Sequence, residues 1–519
     1  MDKKKKWGRF LRIIFGRTAF VVLFLFVQIA VLLAAFNWLS GYVFYIYGGF
    51  TFLSAVVVLY IINKRENPCY QLAWVIPVLV IPVFGAMFYV FVEMQVGTKR
   101  MGKRLSELIR ETEPFLTQEK AVTDRLSAES KRAAHLAQYT KNCGGYPIYD
   151  RTYAQYFPLG DDMYPQFLEE IRQAKRYIFM EYFIIEEGEM WDTVLEILKE
   201  KVLEGVEVRV MYDGMCCLAL LPYRYPHELE RFGIQCKMFS PVKPALSTYQ
   251  NNRDHRKITV IDGHTAFTGG INMADEYINR KERFGHWKDT AIMLKGKAVT
   301  SFLMMFLQMW NITEHRREDY EKYLKSPDYY YAPSLNMDGY VMPFGDSPLD
   351  EETVGQHIYM DILNEARSYV HIMTPYLILD SDILTSLTFA AKRGVETIII
   401  MPHIPDKLYA YLLARSYYEE LLLAGVKIYE YTPGFVHAKV FTSDNEKAVV
   451  GSINLDYRSL YLHFECAAYL YHNAAIRQVD QDFTDTLAKC QEVTLEGCKK
   501  YPFVKKLAGK VLRLFAPLM

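Results

Sequence analysis

His255-Arg256-Lys257-Ile258-Thr259-Val260-Ile261-Asp262, followed by Gly269-Gly270-Ile271-Asn272, is matched 182 residues later by His437-Ala438-Lys439-Val440-Phe441-Thr442-Ser443-Asp444 and Gly451-Ser452-Ile453-Asn454. Both stretches read H-x-K-x4-D-x6-G-[GS]-x-N. One such octet arises by chance in many chains, but two with the same glycine and asparagine at the same offset mark a duplication. The flanks repeat as well. Ala174-Lys175-Arg176-Tyr177-Ile178-Phe179 is echoed by Ala366-Arg367-Ser368-Tyr369-Val370-His371, and Gly205-Val206-Glu207 by Gly394-Val395-Glu396. A period near 190 is far too long for a solenoid. The chain therefore holds two similar halves, joined near 333–350, where Pro333, Gly339, Pro343, Gly345 and Pro348 cluster.

Within each half, short apolar runs alternate with amphipathic segments. Runs at 177–185, 206–212, 258–261, 370–373, 397–401 and 447–450 read as strands, and 191–203 and 384–392 as helices. That alternation gives an α/β layered fold. Met304, Met305, Phe302, Phe306 and Trp310 read as helix core, and Tyr329, Tyr330 and Tyr331 as loop packing or a membrane-edge contact.

The motif spacing carries chemistry. Side chains two apart on a strand share a face, so His255 and Lys257 point the same way, as do His437 and Lys439. Asp262 and Asp444 lie past the apolar runs, where an anion can orient a neighbour. Asn272 and Asn454 can offer amide N–H groups to a phosphate. Two imidazoles and two ammonium groups meeting between the halves suit a phosphodiester. One neutral imidazole attacks phosphorus, the other protonates the leaving alkoxide, and the lysines offset charge on the non-bridging oxygens. No carboxylate cluster of the metal-binding kind and no nucleotide fingerprint accompanies them, so neither a metal nor a cofactor is expected. A lone strand histidine is more often packed core than reactive group, so His286, His357, His403 and His463 receive no such role.

Of the 519 residues, 51% are hydrophobic, and 60 Lys+Arg balance 60 Asp+Glu. The apolar content excludes disorder as the main state, and the even charge argues against a nucleic-acid binder. The eight cysteines form no C-x-x-C pair and read as free thiols rather than a zinc site or disulfide framework. Residues 18–63 contain no charged side chain. Such a stretch is about twice the length one bilayer crossing needs. Spans are expected near 18–38, 42–62 and 70–92, making the protein a multi-pass protein of the cell membrane. Basic residues stand both before the first span and after the third, so charge leaves the orientation open.

The expected organisation is a basic segment at 1–17, a transmembrane region at 18–92 and a connecting helical segment at 93–144. A first α/β domain follows at 145–345, a second at 346–490, and an amphipathic tail at 491–519. That tail carries Lys505, Lys506, Lys510 and Arg513 among apolar residues, suiting either anionic lipid or docking on the core.

At the two histidine–lysine–aspartate motifs the sequence resembles the phospholipase D superfamily over most of 145–490. More narrowly it resembles the bacterial cardiolipin synthases. Supporting matches are Asp275-Glu276-Tyr277, Trp287 and Asp289, Asn454 through Ser459 with Glu465, and the closing Arg513–Met519. Asp254 stands where that family usually has asparagine. The resemblance implies two phospholipase D-like domains forming one pseudo-twofold unit that transfers a phosphatidyl group between phosphatidylglycerol molecules. Cardiolipin and glycerol are the products and a phosphatidyl-histidine the intermediate. By that resemblance His255 is the nucleophile, His437 the acid and base, and Asp289 and Glu465 hold the far nitrogens of the histidines. A hydrolase, transfer to another alcohol, and an inactive membrane scaffold are the competing readings.

Overall fold

The computed structural model describes residues 43–64, 67–94, 96–241, 252–314, 318–324, 335–350 and 352–518, together with Phe26 and Ala30. They fall into two units, one ending at Gly97 and the other beginning at Thr98.

The first unit contains the helices Val43–Asn63, Pro68–Val80 and Pro82–Met94. Val57, Ile61, Val78, Ala86 and Tyr89 form its small core. Asn67 caps the second helix by accepting from the Cys69 N–H at 2.9 Å. The expected span at 70–92 is two helices rather than one. Pro82 has no N–H and biases Ile81 out of the helical region, so the chain breaks there. Gly85 then approaches the Pro77 carbonyl so closely that a β-carbon would lie 2.5 Å from its oxygen. Among the described residues no helix is long and apolar enough to cross a membrane. The expected span at 18–38 lies outside them apart from Phe26 and Ala30, as does the tyrosine run at 329–331.

The second unit contains two mixed sheets of matching order. In the first, β1 (Thr152–Phe157), β9 (Ala291–Gly296), β7 (Thr265–Gly269), β6 (Lys257–Ile261), β2 (Tyr177–Tyr182), β3 (Glu207–Asp213) and β4 (Gln235–Phe239) lie side by side. In the second the order is β10 (Tyr340–Asp346), β17 (His463–Tyr471), β16 (Lys447–Gly451), β15 (Val440–Ser443), β11 (Tyr369–Met373), β12 (Glu396–Pro402), β13 (Lys427–Tyr431) and β18 (Cys490–Glu492). Each sheet runs parallel where helices cross over, at β2–β3–β4 and β11–β12–β13, and antiparallel elsewhere. Strands β6, β7, β15 and β16 are buried at every position. This is why the runs at 258–261 and 447–450, in β6 and β16, do not show the alternation of a half-exposed strand.

The boundary between the halves falls earlier than the sequence suggested. Residues 340–346 pair with β17 from Tyr340↔Tyr471 to Asp346↔Glu465 and so belong to the second sheet. Pro343 is tolerated because β10 is an edge strand. Likewise β18 carries the second sheet past residue 490. The helix Val299–Asn311 is buried almost throughout, so Met304 and Met305 are core. All eight cysteines are free thiols.

Two short parallel pairings stitch the halves together. β5 (Arg253–Asp254) pairs with the start of β17, matching Asp254 to Phe464. β14 (Gly434–Val436) pairs with β8 (His286–Lys288), matching Val436 to Lys288. In each case the next residue on one strand is a motif histidine, and the next on the other is or adjoins a carboxylate.

Candidate active site

Those two pairings build the site. Past β5 stands His255, whose N–H donates to the Phe464 carbonyl at 2.9 Å. Its ring Nδ1 lies 2.8 Å from Glu465 Oε1. Past β14 stands His437, whose N–H donates to the Lys288 carbonyl at 2.7 Å, and its Nδ1 lies 2.6 Å from Asp289 Oδ2. Each imidazole is therefore held by a carboxylate from the opposite half. An Nδ1–H donated to a carboxylate leaves Nε2 as the free nitrogen of the neutral ring.

The variable position of the repeat serves these carboxylates. At Gly270 a β-carbon would fall 2.0 Å from Asp289 Oδ1, so only glycine admits Asp289 there. Its counterpart Ser452 instead donates its hydroxyl to Glu465 Oε2. The lysines fold back on their own histidines. Lys257 Nζ donates to the His255 carbonyl at 2.6 Å. Lys439 Nζ donates to the His437 carbonyl and lies 2.9 Å from His437 Nδ1.

All four cationic groups of the motif are buried, and burial dominates their electrostatics. It holds His255 well below the ordinary histidine value, helped by Lys257, His463, Lys439 and His437. His437 is lowered to about 4 by burial and Lys439, against the upward pull of Asp289. Burial brings Lys257 down to about 8 and Lys439 to about 7. It also pushes Glu465 well above the usual carboxylate range, with Lys257 opposing. Lys439 and His437 of the second motif lower His255, and Lys257 of the first lowers His437, so the two motifs lie within electrostatic reach of each other. Phe183 meets the His255 ring edge-on at 4.6 Å, and Trp287 and Tyr277 flank His437 at 5.4 and 5.6 Å. Asp254 is fully buried, raised to about 6 by burial, and accepts from the Arg256 N–H.

The aspartates of the repeat stand elsewhere. Asp262 accepts from the backbone N–H groups of Lys175, Arg176 and Tyr177 at 2.8–2.9 Å. Asp444 does the same for Arg367, Ser368 and Tyr369. Each lies at the far end of its strand, roughly 22–24 Å of extended chain from its histidine. They orient a neighbour, as their place past the apolar runs suggests, by pinning the start of the adjacent strand. Asn272 is half committed, its Oδ1 accepting from the Ile184 N–H and its Nδ2 donating to Tyr277, which leaves one N–H to offer. Asn454 donates to Ser459 Oγ at 3.0 Å.

One residue passed over in the sequence stands in the pocket. His463 lies 5.4 Å from His255, ring centre to ring centre. The signal was its position two before Glu465 on a strand, the same-face spacing used for His255 and Lys257. Ligand atoms of His255, His463 and Glu465 lie within 4.8 Å of one another, a two-imidazole, one-carboxylate set of the kind that holds zinc. An ion there would draw Glu465 from His255 beside the two motif lysines, so the donor set fits a cation poorly.

The family profile described as "Cardiolipin synthase, PLD-like domain" matches residues 167–310 and 359–487. A Streptococcus mutans protein is 48% identical over 469 residues, covering 89% of this chain and 99% of its own. "Cardiolipin synthase 2" of Bacillus anthracis is 33% identical, with 91% of each chain covered. "Cardiolipin synthase" of Alkalihalophilus pseudofirmus is 32% identical, covering 91% of this chain and 93% of that one. Among solved structures, phosphatidylserine synthase of Haemophilus influenzae superposes with a TM-score of 0.56 at 15% identity. It covers 73% of this chain and 97% of its own, a likeness of fold.

Proposed function

Because the chain belongs to the cardiolipin synthase family of phospholipase D-like phosphatidyltransferases, we propose that it condenses two phosphatidylglycerol molecules into cardiolipin and glycerol. The observation that carries the reading is the crossed bracing of His255 by Glu465 and of His437 by Asp289. It supports two imidazoles presenting Nε2 to one phosphorus from opposite sides.

His255, held neutral by burial and braced through Nδ1 by Glu465, suits the nucleophile. Its neutral Nε2 attacks phosphorus, the bond to glycerol breaks, and a phosphatidyl-histidine forms. His437 keeps the stronger upward pull of its carboxylate, and the arriving phosphodiester anion raises it further. As imidazolium it gives its Nε2 proton to the departing glycerol oxygen. It then takes a proton from the terminal hydroxyl of the second phosphatidylglycerol, whose oxygen attacks phosphorus and frees His255. One diester replaces another, so the exchange calls for no external energy source. Lys257 and Lys439 meet the charge on the non-bridging oxygens, and Phe183, Tyr277 and Trp287 leave water little room.

The substrate is a lipid, and two apolar surfaces support a membrane-bound enzyme. In the first unit Phe52, Leu59, Leu72, Leu79 and Val80 are exposed. In the second, the helix Phe503–Phe515 docks through Gly509 against the Leu412 carbonyl and through Arg513, which pairs with Glu420 at 3.1 Å. Its outer stripe, Phe503, Leu507, Val511, Leu514 and Phe515, is exposed beside Lys505 and Lys510. The helix thus docks on the core and still offers an apolar, basic face suited to anionic lipid.

The test is product analysis. Purified full-length protein in phosphatidylglycerol mixed micelles is expected to yield cardiolipin and glycerol in equal amounts without added nucleotide. Phosphatidic acid as the main lipid product would assign a hydrolase instead.

A further inference from the structure

His463 begins β17 opposite Arg253, at the seam where the halves meet. Its side chain is more than nine-tenths buried. Among the described residues neither ring nitrogen has a hydrogen-bond partner. Glu465 Oε1 stands 3.6 Å from Nδ1, beyond bonding distance. A buried imidazole normally satisfies both nitrogens. This one leaves both open, 5.4 Å from the His255 ring and 6.3 Å from Phe183.

Burial foremost, then Arg458, Lys257, Arg253 and Lys407, keeps the ring uncharged. A neutral imidazole offers one N–H donor and one nitrogen acceptor. A hydroxyl group answers both, being donor and acceptor itself. A phosphate oxygen accepts only, and an ammonium group donates only, among cations that repel it.

We propose that His463 is a specificity-determining residue that hydrogen-bonds a hydroxyl of the glycerol headgroup beside His255, selecting glycerol over amino-alcohol headgroups. The inference rests on the phosphatidylglycerol reading and names the group that recognises its headgroup. Leaving and entering glycerol use the same subsite, because the second half-reaction retraces the first.

The experiment compares headgroup release from phosphatidylglycerol, phosphatidylethanolamine and phosphatidyl-p-nitrophenol by wild type, His463→Leu and His463→Asn, all full length and in mixed micelles. His463→Leu is expected to lose the preference for phosphatidylglycerol over phosphatidylethanolamine by at least about tenfold, since a site built to bind a hydroxyl discriminates through it. It should release p-nitrophenol within about threefold of wild type, because that leaving group carries no hydroxyl to bind. His463→Asn, which restores a donor and an acceptor, should recover most of the preference. An unchanged preference in His463→Leu overturns the proposal, as does p-nitrophenol release falling in step with glycerol release. Activity lost to a chelator and restored by zinc also overturns it, assigning the nitrogens to a cation. Release is counted whether the phosphatidyl group ends on lipid or on water. A hydrolase outcome therefore defeats the synthase reading while leaving this test intact.

Discussion

His255 Nδ1 and Glu465 Oε1 lie 2.8 Å apart across 210 residues of sequence, and the pair is mirrored by His437 and Asp289 at 2.6 Å across 148. Each half supplies a histidine to its own motif and a carboxylate to the other's. Neither half alone holds its own ring in place.

Removing a brace should therefore cost chemistry more than stability. Glu465→Gln and Asp289→Asn are expected to lower kcat by about 10²–10⁴-fold, by analogy with other carboxylate-oriented histidines. The double variant should lose little more than the worse single one, because the groups act as a unit. Kinetics on phosphatidylglycerol check this, and near-wild-type rates in either single variant would contradict it.

The motif aspartates should behave the opposite way. The three amides held by Asp262 include a buried one, at Tyr177. Those held by Asp444 are more open to water. Asp262→Ala is expected to destabilise the fold by about 2–4 kcal/mol and Asp444→Ala by about 1 kcal/mol. Turnover per folded molecule should stay at the wild-type level in both. Denaturant titration paired with active-site counting measures the two separately.

Lysine titration sets an alkaline limit. Lys439 and Lys257 are lowered by burial to about 7 and about 8, so the free enzyme loses its phosphate-binding charge as pH rises through that range. A plot of kcat/KM against pH, which reports free-enzyme groups and already declines above the His437 value of about 4, should steepen there. These same lysines contribute to stability with the opposite sign. The unfolded chain holds protons up to about 10.5 that the native pocket has already shed, so their contribution rises with pH over that window. A kcat/KM level to pH 10 would contradict the assignment.

The outer stripe of the helix Phe503–Phe515 should govern access to bilayers. Leu507→Asp with Val511→Asp is expected to weaken sedimentation with phosphatidylglycerol vesicles by tenfold or more. Hydrolysis or transfer on a short-chain soluble diester should be unchanged. Equal loss on both substrates would place the effect in folding instead.

Much of this was legible in the sequence because strand periodicity and duplication are local signals. The apolar runs became β2, β3, β6, β11, β12 and β16, and the histidine–lysine spacing put both groups in one pocket. What escaped depended on non-local pairing. The register of β5 with β17 and of β14 with β8 creates the crossed bracing; the family resemblance pointed to Asp289 and Glu465, but no local pattern reveals a two- or three-residue strand. Asp262 and Asp444 sat in the same octets as the histidines, and the apolar run between them already placed them at the other end of the strand. His463 was hidden because its neighbour in the pocket, His255, comes from the other half. The break at Pro82 was within reach, since a proline following Ile81 in an apolar run argues against a single helix.

The most direct measurement uses His437→Ala with phosphatidyl-p-nitrophenol, whose leaving group needs no proton. Attack by His255 should proceed, while release of the phosphatidyl group, which needs His437 as base, should stall. The expected result is a burst of one equivalent of p-nitrophenol and a phosphatidyl adduct on the peptide containing His255, found by mass spectrometry after alkaline quench. No burst, or an adduct on any other residue, would contradict it.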